Sequence, residues 1–274
     1  MRRDERGVHA IAFNSSHMKK LRVLICNDDG INAEGIYALA QAVARVAEVT
    51  VIAPDKQQSA VGHAITVNYP LRAVPFYKNG DFFGYAVEGT PADCVKLGVR
   101  FLMKEKPDLV MSGINHGSNT AINIIYSGTV SAATEGMILG IPSIAVSLTA
   151  YQNLDFTYAA KFSARLALLV AEKGLPPRTL LNVNIPNVPE DQIQGVMITK
   201  QGISVWQDRF DVRRDPANRE YYWLTGEMDV LDTDLDTDQI AIKNNYVSIT
   251  PVRYDLTDKA MVEVMKEWGI ENIK

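Results

Sequence analysis

The 274 residues carry a net charge of −4, with 47% hydrophobic and 22% charged side chains, enough apolar material for a sizeable core and too much for general disorder. No Lys/Arg block long enough to follow a phosphate backbone occurs, which argues against a nucleic-acid polymer as partner. The longest mainly apolar stretch, around residues 141–150, is too short and too interrupted by Pro142 and Ser143 to cross a bilayer, so no membrane partner is expected.

Residues 1–17 are polar and irregular and lack the apolar h-region of a secretion signal, so they read as an extension ahead of an effective start at Met18. Residues 21–26 form an apolar run of strand length. Residues 33–46 place Ile36, Leu39, Ala40 and Val43 at helical spacing, and residues 48–54 read as a second strand followed by a loop over 55–59. Extended segments over 71–76 and 82–87 flank Lys78-Asn79-Gly80-Asp81, a hairpin signal. Thr90 as N-cap and Pro91 at the first helical position open a helix that runs to Met103. Residues 108–112 give the next strand, and 113–128 are rich in Gly, Asn and Ser. A small-residue helix over 129–139 then ends at Gly140-Ile141-Pro142, and 143–148 return as a strand.

A long helix over 157–172 and a strand over 180–185 complete an alternation that signals an α/β fold with a Rossmann-like, mostly parallel sheet. Beyond about Gly195 this rhythm gives way to Trp206, Tyr221, Tyr222, Trp223 and an acidic repeat over 232–238, then a strand over 246–250 and a helix over 257–268. The expected division is an extension (1–17), a core (18–195) and a C-terminal arm of hairpin and helix (196–274), whose aromatic surface packs on a neighbouring subunit or back on its own core. Cys26 and Cys94 lack C-x-x-C spacing and fit buried free thiols in a reducing cytoplasm.

Four segments carry chemistry. Asn27-Asp28-Asp29-Gly30 follows directly on the first strand, where ligands gather in open α/β sheets. One acid suffices to cap the next helix; a second beside it at the end of a buried strand is costly unless something positive is bound. Ser59 in the loop after the second strand and Asn115 after the third would reach the same crevice. Together they make an all-oxygen set suited to a hard divalent cation such as Mg²⁺ or Mn²⁺ rather than zinc. Tyr126-Ser127-Gly128-Thr129-Val130-Ser131 leads a helix start whose free N–H groups attract an anion, although Ser127 or Thr129 could simply cap the helix. His63 and His116 lie in the neighbouring loops and are candidate acids for a leaving group. The acidic repeat lacks the glycine and terminal glutamate of an EF-hand and reads as a solvated loop.

Taken together, Asn27-Asp28-Asp29-Gly30, Ser59-Ala60-Val61-Gly62-His63-Ala64-Ile65-Thr66, Gly113-Ile114-Asn115-His116-Gly117-Ser118-Asn119 and Tyr126-Ser127-Gly128-Thr129-Val130-Ser131-Ala132-Ala133 resemble the SurE family, the stationary-phase survival 5′-nucleotidases. Thr237-Asp238 and Tyr246-Val247-Ser248-Ile249-Thr250-Pro251 extend the likeness towards the C-terminus. The resemblance implies a metal-dependent phosphatase acting on nucleoside 5′-monophosphates, with 3′-nucleotides and short polyphosphate as further substrates. It implies one divalent ion per subunit on Asp28, Asp29, Ser59 and Asn115, with Asp28 or Asp29 also orienting or deprotonating the attacking water. Expected phosphate contacts are Asn119, Ser127, Gly128, Thr129 and Ser131. It further implies a C-terminal arm exchanged within a homodimer or homotetramer. Asn245, where relatives carry glycine, and Val252, where leucine is common, depart from the family pattern in that arm. A nucleotide sensor without turnover is the rival expectation, and a phosphoaspartate route lacks its usual Asp-x-Asp spacing at the Asp28-Asp29 strand end.

Overall fold

The computed structural model describes residues 20–273, so the expected extension over residues 1–17 lies outside them. β1 (Arg22–Cys26), α1 (Glu34–Val43) and β2 (Glu48–Pro54) make the first βαβ unit, with β1 and β2 parallel. Val23 through Cys26 are buried on both faces of the sheet, the reason this strand is continuously apolar instead of alternating. β3 (Ala73–Lys78) and β4 (Asp81–Val87) form the expected hairpin, and its two turn residues Asn79 and Gly80 take φ of 56° and 92° as such a tight turn requires. α2 (Pro91–Leu97) begins with a reciprocal capping box between Thr90 and Asp93. It ends earlier than Met103, passing into a π-helical turn over Gly98–Leu102.

β5 (Leu109–His116) runs past the expected end at residue 112, because Gly113 and Ile114 bulge between the pairs Ser112↔Ala145 and Asn115↔Ser147. Gly113 has φ +133°, and a Cβ there would lie 2.3 Å from the Val146 carbonyl oxygen. The bulge re-aims the last strand residues, Asn115 and His116. α3 (Asn123–Tyr126), α4 (Gly128–Ile138), β6 (Ser143–Leu148), α5 (Thr157–Lys173) and β7 (Leu180–Ile185) follow.

The sheet then continues past residue 195. β8 (Gly195–Ile198) and β11 (Tyr246–Val252) pair in parallel, β11 lies antiparallel to β7, and the full order is β3-β4-β2-β1-β5-β6-β7-β11-β8. Between them come β9 (Ser204–Arg214), β10 (Glu220–Val230) and α6 (Asp238–Lys243), and α7 (Lys259–Lys266) follows β11, ahead of a 3-10 turn over Ile270–Asn272. The acidic repeat is not wholly a solvated loop. Asp238, fully buried, starts α6 and accepts backbone N–H groups of Ala121, Gly202 and Gln239 at 2.9, 3.0 and 2.8 Å. Burial pushes its carboxyl up against the pull of those three bonds.

β9 and β10 pair only with each other among the described strands. The register sets Trp206 opposite Met228, Phe210 opposite Leu224 and Val212 opposite Tyr222, which puts all six on one face of the ribbon. Phe210, Val212, Tyr222 and Leu224 are each about 60% exposed, and α7 buries none of its residues.

Candidate active site

The carboxyl ends of β1, β2 and β5 converge on one cavity of about 240 Å³. Asp28, Asp29, Ser59, Asn115, His116, Asn119 and Ser127 all line it, so residues from four separate segments meet as expected. A larger cavity of about 770 Å³ opens at the opposite ends of β1 and β2, where Glu48 and Glu105 share the lining with the cations Lys20, Arg22 and Lys104.

Asp28 is buried, and its Oδ1 accepts a short hydrogen bond from the Thr129 hydroxyl at the start of α4. Gly128 must be glycine, since a Cβ there would sit 2.7 Å from Asp28 Cβ and 2.9 Å from its Oδ2. The Asp28 carbonyl accepts the Gln58 amide at 2.7 Å, tying the second loop to the first strand end. Asp29 meets His116 twice: its Oδ1 lies 2.8 Å from Nδ1, and its Oδ2 accepts the His116 amide at 3.4 Å. Burial pushes the Asp28 carboxyl up to about 6, the neighbouring Asp29 charge adds to this, and the Thr129 bond opposes it. Asp29 is also raised by burial, with His116 pulling the other way.

Asn115 donates its Nδ2 to the Gly117 carbonyl at 2.8 Å, and the exposed Ser59 hydroxyl accepts from Gln57 Nε2 at 2.9 Å. Asn119 is fixed by a buried amide network: its N–H donates to Asn184 Oδ1 at 2.8 Å, its Nδ2 to Ser147 Oγ at 2.8 Å, and its carbonyl accepts from Asn182 at 2.7 Å. Ser127 caps α4, its Oγ accepting the Val130 amide at 3.0 Å. Gly128, Thr129 and Ser131 do not line the cavity. The first two pack behind Asp28, and Ser131 is buried within the first turns of α4. His63 also lies off the cavity, with its Nε2 3.1 Å from Glu135 Oε2.

The cavity has an aromatic side that the sequence did not mark. Tyr126, Tyr151 and Trp206 line it; Tyr151 packs edge-on to His116 at 6.4 Å between ring centroids, and Trp206 Nε1 donates to Asn123 Oδ1 at 3.0 Å. Among the described residues no cluster of three or more His, Cys, Asp or Glu is arranged to hold a metal ion. The donor chemistry nonetheless fits a hard cation. Two adjacent carboxylates share a mostly buried floor, both are raised by burial, and hydroxyl and amide oxygens stand beside them.

A family model described as "Survival protein SurE" matches residues 23–208. The chain is 50% identical over 260 residues to "5'-nucleotidase SurE" of Chlorobium chlorochromatii (strain CaD3), covering 95% of this chain and 96% of that protein. It is 49% identical over 250 residues to the protein of the same name from Syntrophobacter fumaroxidans (strain DSM 10017 / MPOB), covering 91% and 100%. The solved structure titled "Crystal Structure of Sure Protein from Aquifex aeolicus" superposes with a TM-score of 0.78 at 42% identity, over 90% of this chain and 99% of that one.

Proposed function

The chain belongs to the SurE family, and from that membership we propose that it is a 5′-nucleotidase, hydrolysing nucleoside 5′-monophosphates to nucleoside and phosphate. The observation that carries this reading is buried Asp28 set against the amino-terminal end of α4, with half-buried Asp29 beside it on His116. A carboxylate pair alone would repel phosphate, whereas a carboxylate pair holding a cation beside the positive end of a helix would receive it.

SurE 5′-nucleotidases are metal-dependent in general, and for this chain the proposed ligands are Asp28, Asp29, Ser59 and Asn115, with one Mg²⁺ or Mn²⁺ per subunit. When bound, the ion neutralises charge on the phosphoryl group. The chain's own groups do the rest. Asn119 and Ser127, which line the cavity, hold phosphate oxygens, with the positive end of α4 behind them. Thr129 keeps Asp28 oriented, and Asp28 or Asp29 positions and deprotonates the attacking water. His116, oriented through Nδ1 by Asp29, gives a proton to the leaving 5′-oxygen. The nucleobase lies along Tyr151 and Trp206, whose stacking faces do not discriminate strongly between bases. Family membership extends the proposal to 3′-nucleotides and short polyphosphate as secondary substrates.

The apolar face of the β9–β10 ribbon and the unburied α7 support a homodimer or homotetramer, with the hairpin and the C-terminal segment as the arm between subunits. No helix among the described residues is long and apolar enough to cross a membrane, and a cytoplasmic location is proposed with it. Phosphate release from AMP with Mn²⁺ or Mg²⁺, compared with EDTA, tests the reading. Metal-dependent release is expected; nucleotide binding with no release from any nucleotide would favour a sensor.

A further inference from the structure

The loop that carries Ser59 has little regular structure, yet it is fastened at several points. Gly62 N–H donates to the Tyr126 carbonyl at 3.1 Å, Thr90 Oγ1 to the Ala64 carbonyl at 2.7 Å, and Thr66 donates its amide and hydroxyl to Asp93 at 2.9 and 2.6 Å. One further tie is different in kind. His63 reaches from the loop to Glu135, a carboxylate 2% exposed on α4, whose second oxygen takes Lys96 Nζ of α2 at 2.5 Å. A buried carboxylate needs both oxygens partnered, and here the partners come from α2 and from the loop.

We propose that His63 is a positioning residue: by donating Nε2–H to Glu135 it docks the 59–66 loop on α2 and α4 and so holds Ser59 at the cavity. The role of Ser59 as a metal ligand rests on the reading above; the docking itself does not. The alternative role for His63, proton donor to the leaving group, fits the geometry poorly. Its Nε2 is already engaged by a carboxylate, and the ring does not line the cavity. The buried carboxylate acts as an anchor for the loop.

The test uses the full chain with His63→Ala and His63→Gln, since the Gln amide can restore the donor. In metal-free protein, hydrogen exchange of the 59–66 amides should quicken about tenfold or more in His63→Ala, with β1 and β5 unchanged, and return most of the way in His63→Gln. Titration with Mn²⁺ should show affinity weakened about tenfold in His63→Ala. Turnover of AMP and of p-nitrophenyl phosphate should fall together and recover in excess Mn²⁺. Unchanged exchange at 59–66 in His63→Ala overturns the proposal. So does a kcat loss confined to AMP with Mn²⁺ affinity intact, which is what loss of a general acid produces. Wild-type protein that releases no phosphate would count against the nucleotidase reading alone, because the exchange measurement judges the docking without it.

Discussion

Thr129 donates its hydroxyl to Asp28 across 101 residues of sequence, joining the start of α4 to the end of β1. The helix end proposed to receive phosphate and the acid proposed to hold the cation are therefore one mechanical unit. Thr129→Val keeps the shape and removes the donor. We expect kcat/KM to fall about 10- to 100-fold and stability by about 1–2 kcal/mol, with Thr129→Ser retaining most of both; steady-state kinetics and urea unfolding check this.

Replacing Asp28 by Asn should abolish turnover in a folded protein. Its effect on metal-free stability has a definite sign. A carboxyl raised in the folded state to about 6 makes folding less favourable as pH climbs from the unfolded value of 3.8 through that range. Removing it relieves at most about 3 kcal/mol at pH 7, partly offset by the altered Thr129 contact. Metal-free Asp28→Asn should thus melt at or above wild type at pH 7 and lose that advantage by pH 4; calorimetry in EDTA would show the opposite order if the carboxyl were not strained.

Glu135 behaves the other way. Burial alone would raise it, but His63 and Lys96 together hold it below the usual carboxylate range. Its stabilising contribution is present above the unfolded value of 4.5 and fades as pH drops through the lower folded one. Lys96→Met should cost about 1–3 kcal/mol at pH 7 and move acid unfolding to higher pH, as read by urea titrations between pH 3 and 7.

Gly113→Ala puts a methyl group against the Val146 carbonyl at a positive φ. A loss of about 2 kcal/mol or more is expected, with Mn²⁺ affinity falling because Asn115 no longer sits at its place beyond the bulge. Normal stability and affinity would contradict the bulge.

Phe210 and Leu224 face each other across the exposed ribbon. Changing both to Asp should leave the monomer folded and dissociate the assembly, measured by sedimentation. An unchanged sedimentation coefficient would place the subunit contact elsewhere.

Much of this architecture was legible because its signals are local. A buried run closed by Asp28-Asp29-Gly30, the Asn79-Gly80 turn and the Thr90-Pro91 helix start each declare themselves within a few residues. The π-helical turn after Leu97 was not legible, since Gly98 is set by close packing against Ile52 and Leu24 and not by any helix-stop signal. α6 escaped because its six residues are too few for a helical period, and Asp238 is buried by partners far off in the chain. Of the candidate site, the carboxylates and their loop neighbours could be read, as each follows a strand. What Thr129, Glu135 and Trp206 touch could not, because those contacts span 101, 72 and 83 residues and carry no periodicity.

The ribbon has a mechanical side. Two paired strands of 11 residues form a stiff rod roughly 35 Å long, with Trp206 near its root at the cavity wall and Phe210 further out on the same face. In the assembly proposed above, a neighbour seated on the outer end would load the rod at its root, where the Trp206 to Asn123 hydrogen bond ties it to the cavity wall.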